Sequence, residues 1–160
     1  MVDDDPGGLG KGGKKMINGV KVFANEPGSH TVDHTPSEST GSRILLVDDE
    51  QELLSVYGQA LRDEGYLVLS ARNGKEALVC LEASHFDLVI LDVVMPVMDG
   101  IEALGKIVSR YRNTPIILHS GYPNYHTDFM TWLADAFVVK SSDVSILKEA
   151  VKALLKRKLK

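Results

Sequence analysis

Arg43-Ile44-Leu45-Leu46-Val47-Asp48-Asp49-Glu50 is the stretch that decides how this chain folds. Four apolar residues in a row, Ile44 to Val47, suit a strand buried on both faces; a strand with one face in water would alternate. Two carboxylates follow without a gap, so they stand where the strand ends. The arrangement recurs downstream. Leu88-Val89-Ile90-Leu91 runs straight into Asp92, Ile116-Ile117-Leu118-His119 into Ser120, and Phe137-Val138-Val139 into Lys140. Tyr66 to Leu69 reads as one further strand.

Between these runs the apolar period lengthens to that of a helix. Leu53, Leu54, Tyr57, Ala60 and Leu61 share a helical face that Gly65 closes. Asn73, with Glu76 three residues on, caps a helix carrying Ala77, Leu78 and Leu81. Ile101, Leu104, Ile107 and Val108 mark a third helix, and a short fourth is expected from Asn124 to Leu133. The last helix holds Val144, Leu147, Val151, Leu154 and Leu155, with Asp143 as its cap. Five strand–helix units in alternation predict an α/β domain, a five-stranded parallel sheet with five helices on its two faces. The flavodoxin-like strand order for such a domain is 2-1-3-4-5, with the ligand crevice at the carboxyl ends of strands 1 and 3. That order belongs to the architecture; spacing alone does not yield it.

The regular pattern begins at residue 43. Most of the glycines and three of the six prolines lie before it, with no sustained apolar period. Residues 1–42 are therefore expected to be a flexible N-terminal tail, in which Ile17 to Ala24 carries at most a transient strand, and residues 43–160 the folded domain. His30 and His34 have helical metal-ligand spacing but fall in that tail, which argues against a metal role. The formal net charge of −4 gives no reason to expect direct nucleic-acid binding. No apolar run is long enough to insert in a membrane. The start, with Asp3, Asp4 and Asp5, is unlike a signal peptide, and the single cysteine, Cys80, fits a reducing compartment. A cytoplasmic protein is expected.

Asp48, Asp49 and Asp92 would meet at the crevice. Three gathered carboxylates repel, and must raise a pKa or recruit a cation. A hard, oxygen-only site of few ligands suits Mg²⁺, whose coordination is completed by water and phosphate oxygens. Ser120 and Lys140 end the next two strands on the same edge, a hydroxyl and an ammonium suited to an anionic group carried by a carboxylate. Asp92 is then the candidate nucleophile, able to take a phosphoryl group as a mixed anhydride.

Four motifs carry a resemblance. They are Arg43 to Glu50, Leu91-Asp92-Val93-Val94-Met95-Pro96-Val97-Met98-Asp99-Gly100, Ser120-Gly121, and Phe137-Val138-Val139-Lys140. In this order, each at a strand end, they resemble the receiver domains of bacterial response regulators over residues 43–158. The resemblance implies a stand-alone phosphorylation switch of two-component signalling, with Asp92 phosphorylated by a sensor histidine kinase or histidine phosphotransfer protein. It implies Mg²⁺ held by Asp49, Asp92 and the Val94 carbonyl, with Asp48 acting through water. Lys140 and Ser120 would hold the phosphoryl oxygens, and Ser120 and Phe137 would form the switch. The remodelled surface would be that of the fourth helix, fifth strand and fifth helix, signalling to an undetermined protein target or through a phosphorylation-dependent homodimer. Such a domain is not an enzyme beyond its own phosphorylation and dephosphorylation.

The chain departs from the family pattern in places. Ser141 follows Lys140 where proline is usual, the stretch from Ser120 to Phe137 is about two residues short, and Val94 is apolar where relatives can be polar. The Ser141 change leaves open an alternative, a phosphorylation-independent receiver-like adaptor. An aspartate-based phosphatase would want a second Asp at position 94. A flavin or nucleotide binder would want a Gly-rich loop where Asp48 and Asp49 stand. Cys80, Met95 and Met98 read as packing residues, and His119 as a packing or surface residue.

Overall fold

A computed structural model describes residues 14–17, 20–23, 41–124 and 132–158. Its strands are β1 (Lys14–Ile17), β2 (Val20–Phe23), β3 (Arg43–Val47), β4 (Leu67–Ala71), β5 (Leu88–Leu91), β6 (Ile116–Ser120) and β7 (Ala136–Val139). Its helices, among the described residues, are α1 (Gln51–Asp63), α2 (Gly74–Ala83), α3 (Gly100–Arg110) and α4 (Ser145–Lys158). The five parallel strands run β4-β3-β5-β6-β7, which is the expected 2-1-3-4-5.

Alternate residues of these strands feed two separate cores, as side chains on successive strand positions must. Ile44, Leu46, Leu88, Ile90, Ile117 and Val138 face α1 and α4. Leu45, Val47, Val89, Leu91, Ile116 and Leu118 face α2 and α3. This is why the central strands read as unbroken apolar runs. The edge strand β4 is different: Leu67 and Leu69 stay exposed.

Local signals end the elements where the sequence placed them. Gly65 takes φ +91 after α1, and its N–H donates to the Arg62 carbonyl. Asn73 Oδ1 accepts the Glu76 N–H at 2.9 Å, while Glu76 Oε2 accepts the Arg72 N–H at 2.8 Å, a capping box shifted by one residue at its return bond. Asp143 Oδ1 accepts the Ser145 N–H at 3.0 Å. Near the end of α4, Lys158 reaches Asp87 at 3.2 Å, and Asp87 also accepts the Arg43 N–H at 2.8 Å.

Two findings extend the expected plan. Inside the segment read as a flexible tail, β1 and β2 pair antiparallel with each other, and β2 pairs antiparallel with β7. Among the described residues the sheet therefore has seven strands, five of them parallel. The signal for this hairpin was local: Asn18-Gly19 lies between two strand-like runs, the composition that two-residue hairpin loops favour. The expected fourth helix, 124–133, falls largely on residues 125–131, outside the described residues. His30 and His34 also lie outside them.

Val97 has φ +70, the one non-glycine residue with positive φ among the described residues, and its side chain is 79% exposed. A β-branched residue there is strained by about 1–2 kcal/mol. Val97→Gly relieves the strain at some cost in chain entropy, for an expected net gain of about 0.5–1 kcal/mol. Thermal unfolding checks it; an unchanged or lowered Tm contradicts it.

Candidate functional site

The carboxyl edge of the sheet gathers the polar residues. Beyond β3 the ladder continues for one residue, with the Asp48 N–H donating to the Ala71 carbonyl at 3.1 Å. Beyond β5 the Asp92 N–H donates to the Val47 carbonyl at 2.9 Å. Both aspartates are thus held by backbone bonds at the point where the chain leaves the sheet. Their side chains are tied locally too: Asp48 Oδ1 accepts the Glu50 N–H at 2.9 Å, and Asp92 Oδ1 the Val93 N–H at 2.8 Å. Asp48, Asp49 and Asp92 each offer a carboxylate oxygen within 4.8 Å of the others. Asp48 and Asp92 are buried and Asp49 is half-buried.

Lys140 follows β7 and closes the cluster. Its Nζ lies 2.7 Å from Asp48 Oδ2 and 3.3 Å from Asp92 Oδ2. One ammonium faces three carboxylates, so the set carries surplus negative charge. Burial, and then the neighbouring Asp48 charge, push the Asp92 pKa up to about 6 against the pull of Lys140. Burial by itself would lower the Lys140 pKa, but its bond to Asp48 and the charges of Asp92 and Asp48 outweigh this and raise it. Lys140 is therefore an obligate cation here, and Asp92 is the carboxylate whose charge the fold resists. The donor set consists of oxygen anions only, as a hard divalent cation such as Mg²⁺ requires.

The remaining candidates surround this cluster. Ser120 is fully buried at the end of β6, where its Oγ accepts the Tyr122 N–H at 3.1 Å and its carbonyl accepts the Lys140 N–H at 2.8 Å. Phe137 is buried, packed into the core beside α3 with Leu118 and Met95. Val94, two residues past Asp92, turns a half-exposed side chain to solvent, as does Tyr122. His119 points to the opposite face from Ser120, as strand alternation requires, and meets the Tyr57 ring edge-on at 4.7 Å. Burial and the Lys140 charge lower its pKa to about 3, so it is a neutral packing residue.

Two contributors were not legible as such in the sequence. Tyr57 donates its hydroxyl to the Ser141 carbonyl at 3.3 Å, and Ser141 Oγ accepts the Asp143 N–H at 3.1 Å. These bonds brace the turn after Lys140 that lacks its usual proline. Gly100 starts α3 directly beneath Asp92. Its N–H donates to the Val93 carbonyl at 2.8 Å, and a Cβ there would overlap the Asp92 carbonyl oxygen and lie 2.7 Å from Val93 Cα. The glycine was visible in the acceptor-loop motif; the close approach that demands it is a tertiary fact.

Residues 44–152 match the family model described as the response regulator receiver domain. Regulatory protein AtoC of Escherichia coli is 35% identical over 116 residues, which is 71% of this chain and 25% of AtoC. The chain spans half or less of the length of the first curated relatives it matches. Among solved structures, response regulator protein TrrA of Thermotoga maritima in complex with Mg²⁺ and beryllium fluoride aligns with a TM-score of 0.69 at 42% identity, covering 71% of this chain and 98% of that one. TrrA in complex with histidine kinase ThkA aligns with a TM-score of 0.68 at 43% identity, with the same coverage.

Proposed function

This chain belongs to the response regulator receiver domain family, and on that premise we propose that it is a phosphorylation switch whose acceptor is Asp92. It is a signalling domain rather than an enzyme of metabolism. The observation that carries the reading is the meeting of Asp48, Asp49 and Asp92 within 4.8 Å, with Lys140 Nζ touching two of them. A histidine kinase or histidine phosphotransfer protein presents a phosphoimidazole. An Asp92 carboxylate oxygen forms a bond to phosphorus as the P–N bond breaks, and the bonding electron pair leaves with the imidazole. Above its pKa of about 6, Asp92 is ionised and able to attack. Lys140, freed from one carboxylate, turns its ammonium to a phosphoryl oxygen, and the Ser120 hydroxyl, whose Oγ accepts the Tyr122 N–H at rest, donates its hydrogen to another.

Asp49, Asp92 and the Val94 carbonyl would hold Mg²⁺ directly and Asp48 through water; the ion offsets charge on carboxylate and phosphoryl group alike. The oxygen-only donor set, with its surplus negative charge, supports this fit. Ser120 and Phe137 then act as the switch and alter the face formed by β7, α4 and the segment between β6 and β7, whose contact with a target protein is the output. Action as a stand-alone regulator in the cytoplasm belongs to the same proposal; the size and fraction of the native polypeptide on an immunoblot check it. The adaptor alternative drew on Ser141, but the Tyr57 and Ser120 bonds around that residue keep Lys140 on the acidic cluster.

The test is binding of beryllofluoride, a phosphoryl mimic, followed by ¹⁹F NMR. A bound signal that needs Mg²⁺ and vanishes in Asp49→Ala is expected. No bound signal in a folded, Mg²⁺-loaded protein would sink the reading. A related prediction concerns lifetime. Apolar Val94 gives no hydrogen bond to a hydrolytic water, so Val94→Asn is expected to shorten the phosphorylated state several-fold, about threefold or more. An unchanged decay time counts against this.

A further inference from the structure

The last parallel strand does not leave its outer edge open. β2 pairs with β7, Lys21 opposite Phe137 and Val22 opposite Ala136, and β1 pairs with β2 in turn. The hairpin shares four residue pairs between its own strands and two with β7. It is therefore held to the sheet more weakly than to itself. An edge strand offers unpaired N–H and C=O groups to any extended segment, and here the chain fills its own edge. The connection through residues 24–42 keeps the hairpin at high effective concentration, which lets so short a contact persist.

The other end of the same strand belongs to the acidic cluster. β7 is four residues long, and Lys140 follows it immediately. Lys140 bonds Asp48 and Asp92 through Nζ and Ser120 through its N–H. Phe137, three residues back, is the residue opposite Lys21. A phosphoryl group on Asp92 draws Lys140 away from Asp48, and the displacement enters β7 at one end while the hairpin hangs from the other.

We propose that residues 20–23 of the same chain cover the β7 edge at rest and leave it when Asp92 is phosphorylated, so that the edge is masked in one state and bare in the other. The inference rests on the reading of Asp92 as phosphoacceptor, and it adds a releasable covering strand to the output face.

The experiment is residue-resolved amide hydrogen exchange on the full chain, with and without Mg²⁺ and beryllofluoride, while ¹⁹F NMR reports occupancy of the acidic cluster. At rest, amides bonded between β2 and β7, among Lys21, Val22, Ala136 and Phe137, are expected to be protected. Beryllofluoride is expected to speed their exchange by about tenfold or more, leaving Leu88–Leu91 unchanged. Val22→Pro removes a backbone donor from β2. It is expected to deprotect the β7 edge without beryllofluoride, with beryllofluoride still bound; Lys21→Pro gives a second reading. Rapid exchange of β2 at rest overturns the proposal. So does unchanged or increased protection with beryllofluoride bound, which leaves the phosphoacceptor reading intact. Resting protection that disappears on dilution, together with a dimer, assigns the edge to a second copy and also overturns it. Absence of a bound ¹⁹F signal sinks the phosphoacceptor reading and this coupling together.

Discussion

Asp92→Asn is expected to abolish phosphoryl acceptance and, at the same time, to stabilise the metal-free protein. The first effect follows from removal of the nucleophilic carboxylate. The second follows from the direction of its pKa. Burial and Asp48 raise Asp92 from 3.8 to about 6 in the fold, so the native state holds a proton that the unfolded chain has already released. With a raised folded pKa, the stability tied to that proton is present below about pH 4 and is lost as the pH climbs through 6. The shift is worth on the order of 3 kcal/mol above pH 7. Asparagine has no such charge to resist. Urea unfolding in the absence of divalent cations should therefore show a stability gap between variant and wild type that widens from pH 5 to pH 8. An equal gap at both values would contradict the electrostatic account, and a destabilised variant at pH 8 would reverse it.

Gly100→Ala is expected to damage both stability and switching, although Gly100 has no functional group. The atoms its Cβ would strike, the Asp92 carbonyl oxygen and Val93 Cα, are backbone and cannot swing aside. Either the start of α3 or the acceptor loop must shift. Overpacking of this kind costs about 1–3 kcal/mol, and more where only backbone can yield. A displacement of about 1 Å at the acceptor is enough to slow a positioned reaction about 100-fold. Thermal melts and the rate of adduct formation from acetyl phosphate, measured on the same preparation, test this. A variant with wild-type rate and Tm would show that the loop moves freely, contrary to the account.

The parallel sheet was legible because its cause is local. A strand covered on both faces must be apolar at every position, and Ile44–Val47 and Leu88–Leu91 are. The acidic cluster was legible for a related reason: Asp48, Asp92, Ser120 and Lys140 each follow a strand directly, so strand order alone brings them together. What escaped depends on where distant backbones come to lie. Nothing near Gly100 in sequence reveals that Asp92 rests on it. Nothing near Tyr57 reveals that it braces the turn 84 residues away at Ser141. The hairpin escaped for a different reason. Its Asn18-Gly19 signal was present, but the glycine-rich composition around it outweighed a motif of two short strands, which needs the β7 edge to persist. Phe137, expected to be part of the switch, is already inward here, packed with Leu118. Any switching at this residue therefore acts through the strand it sits in as much as through its side chain.

The central claim is that Asp92 takes a phosphoryl group with the help of Mg²⁺. The most direct measurement is the intact mass of the protein after incubation with acetyl phosphate, with and without Mg²⁺, beside Asp92→Asn. The account predicts a single phosphoryl adduct on the wild type that requires Mg²⁺, is removed by hydroxylamine as an acyl phosphate should be, and never forms on Asp92→Asn. An adduct of equal yield on Asp92→Asn, or none on a wild type shown to be folded and to bind Mg²⁺, would contradict it.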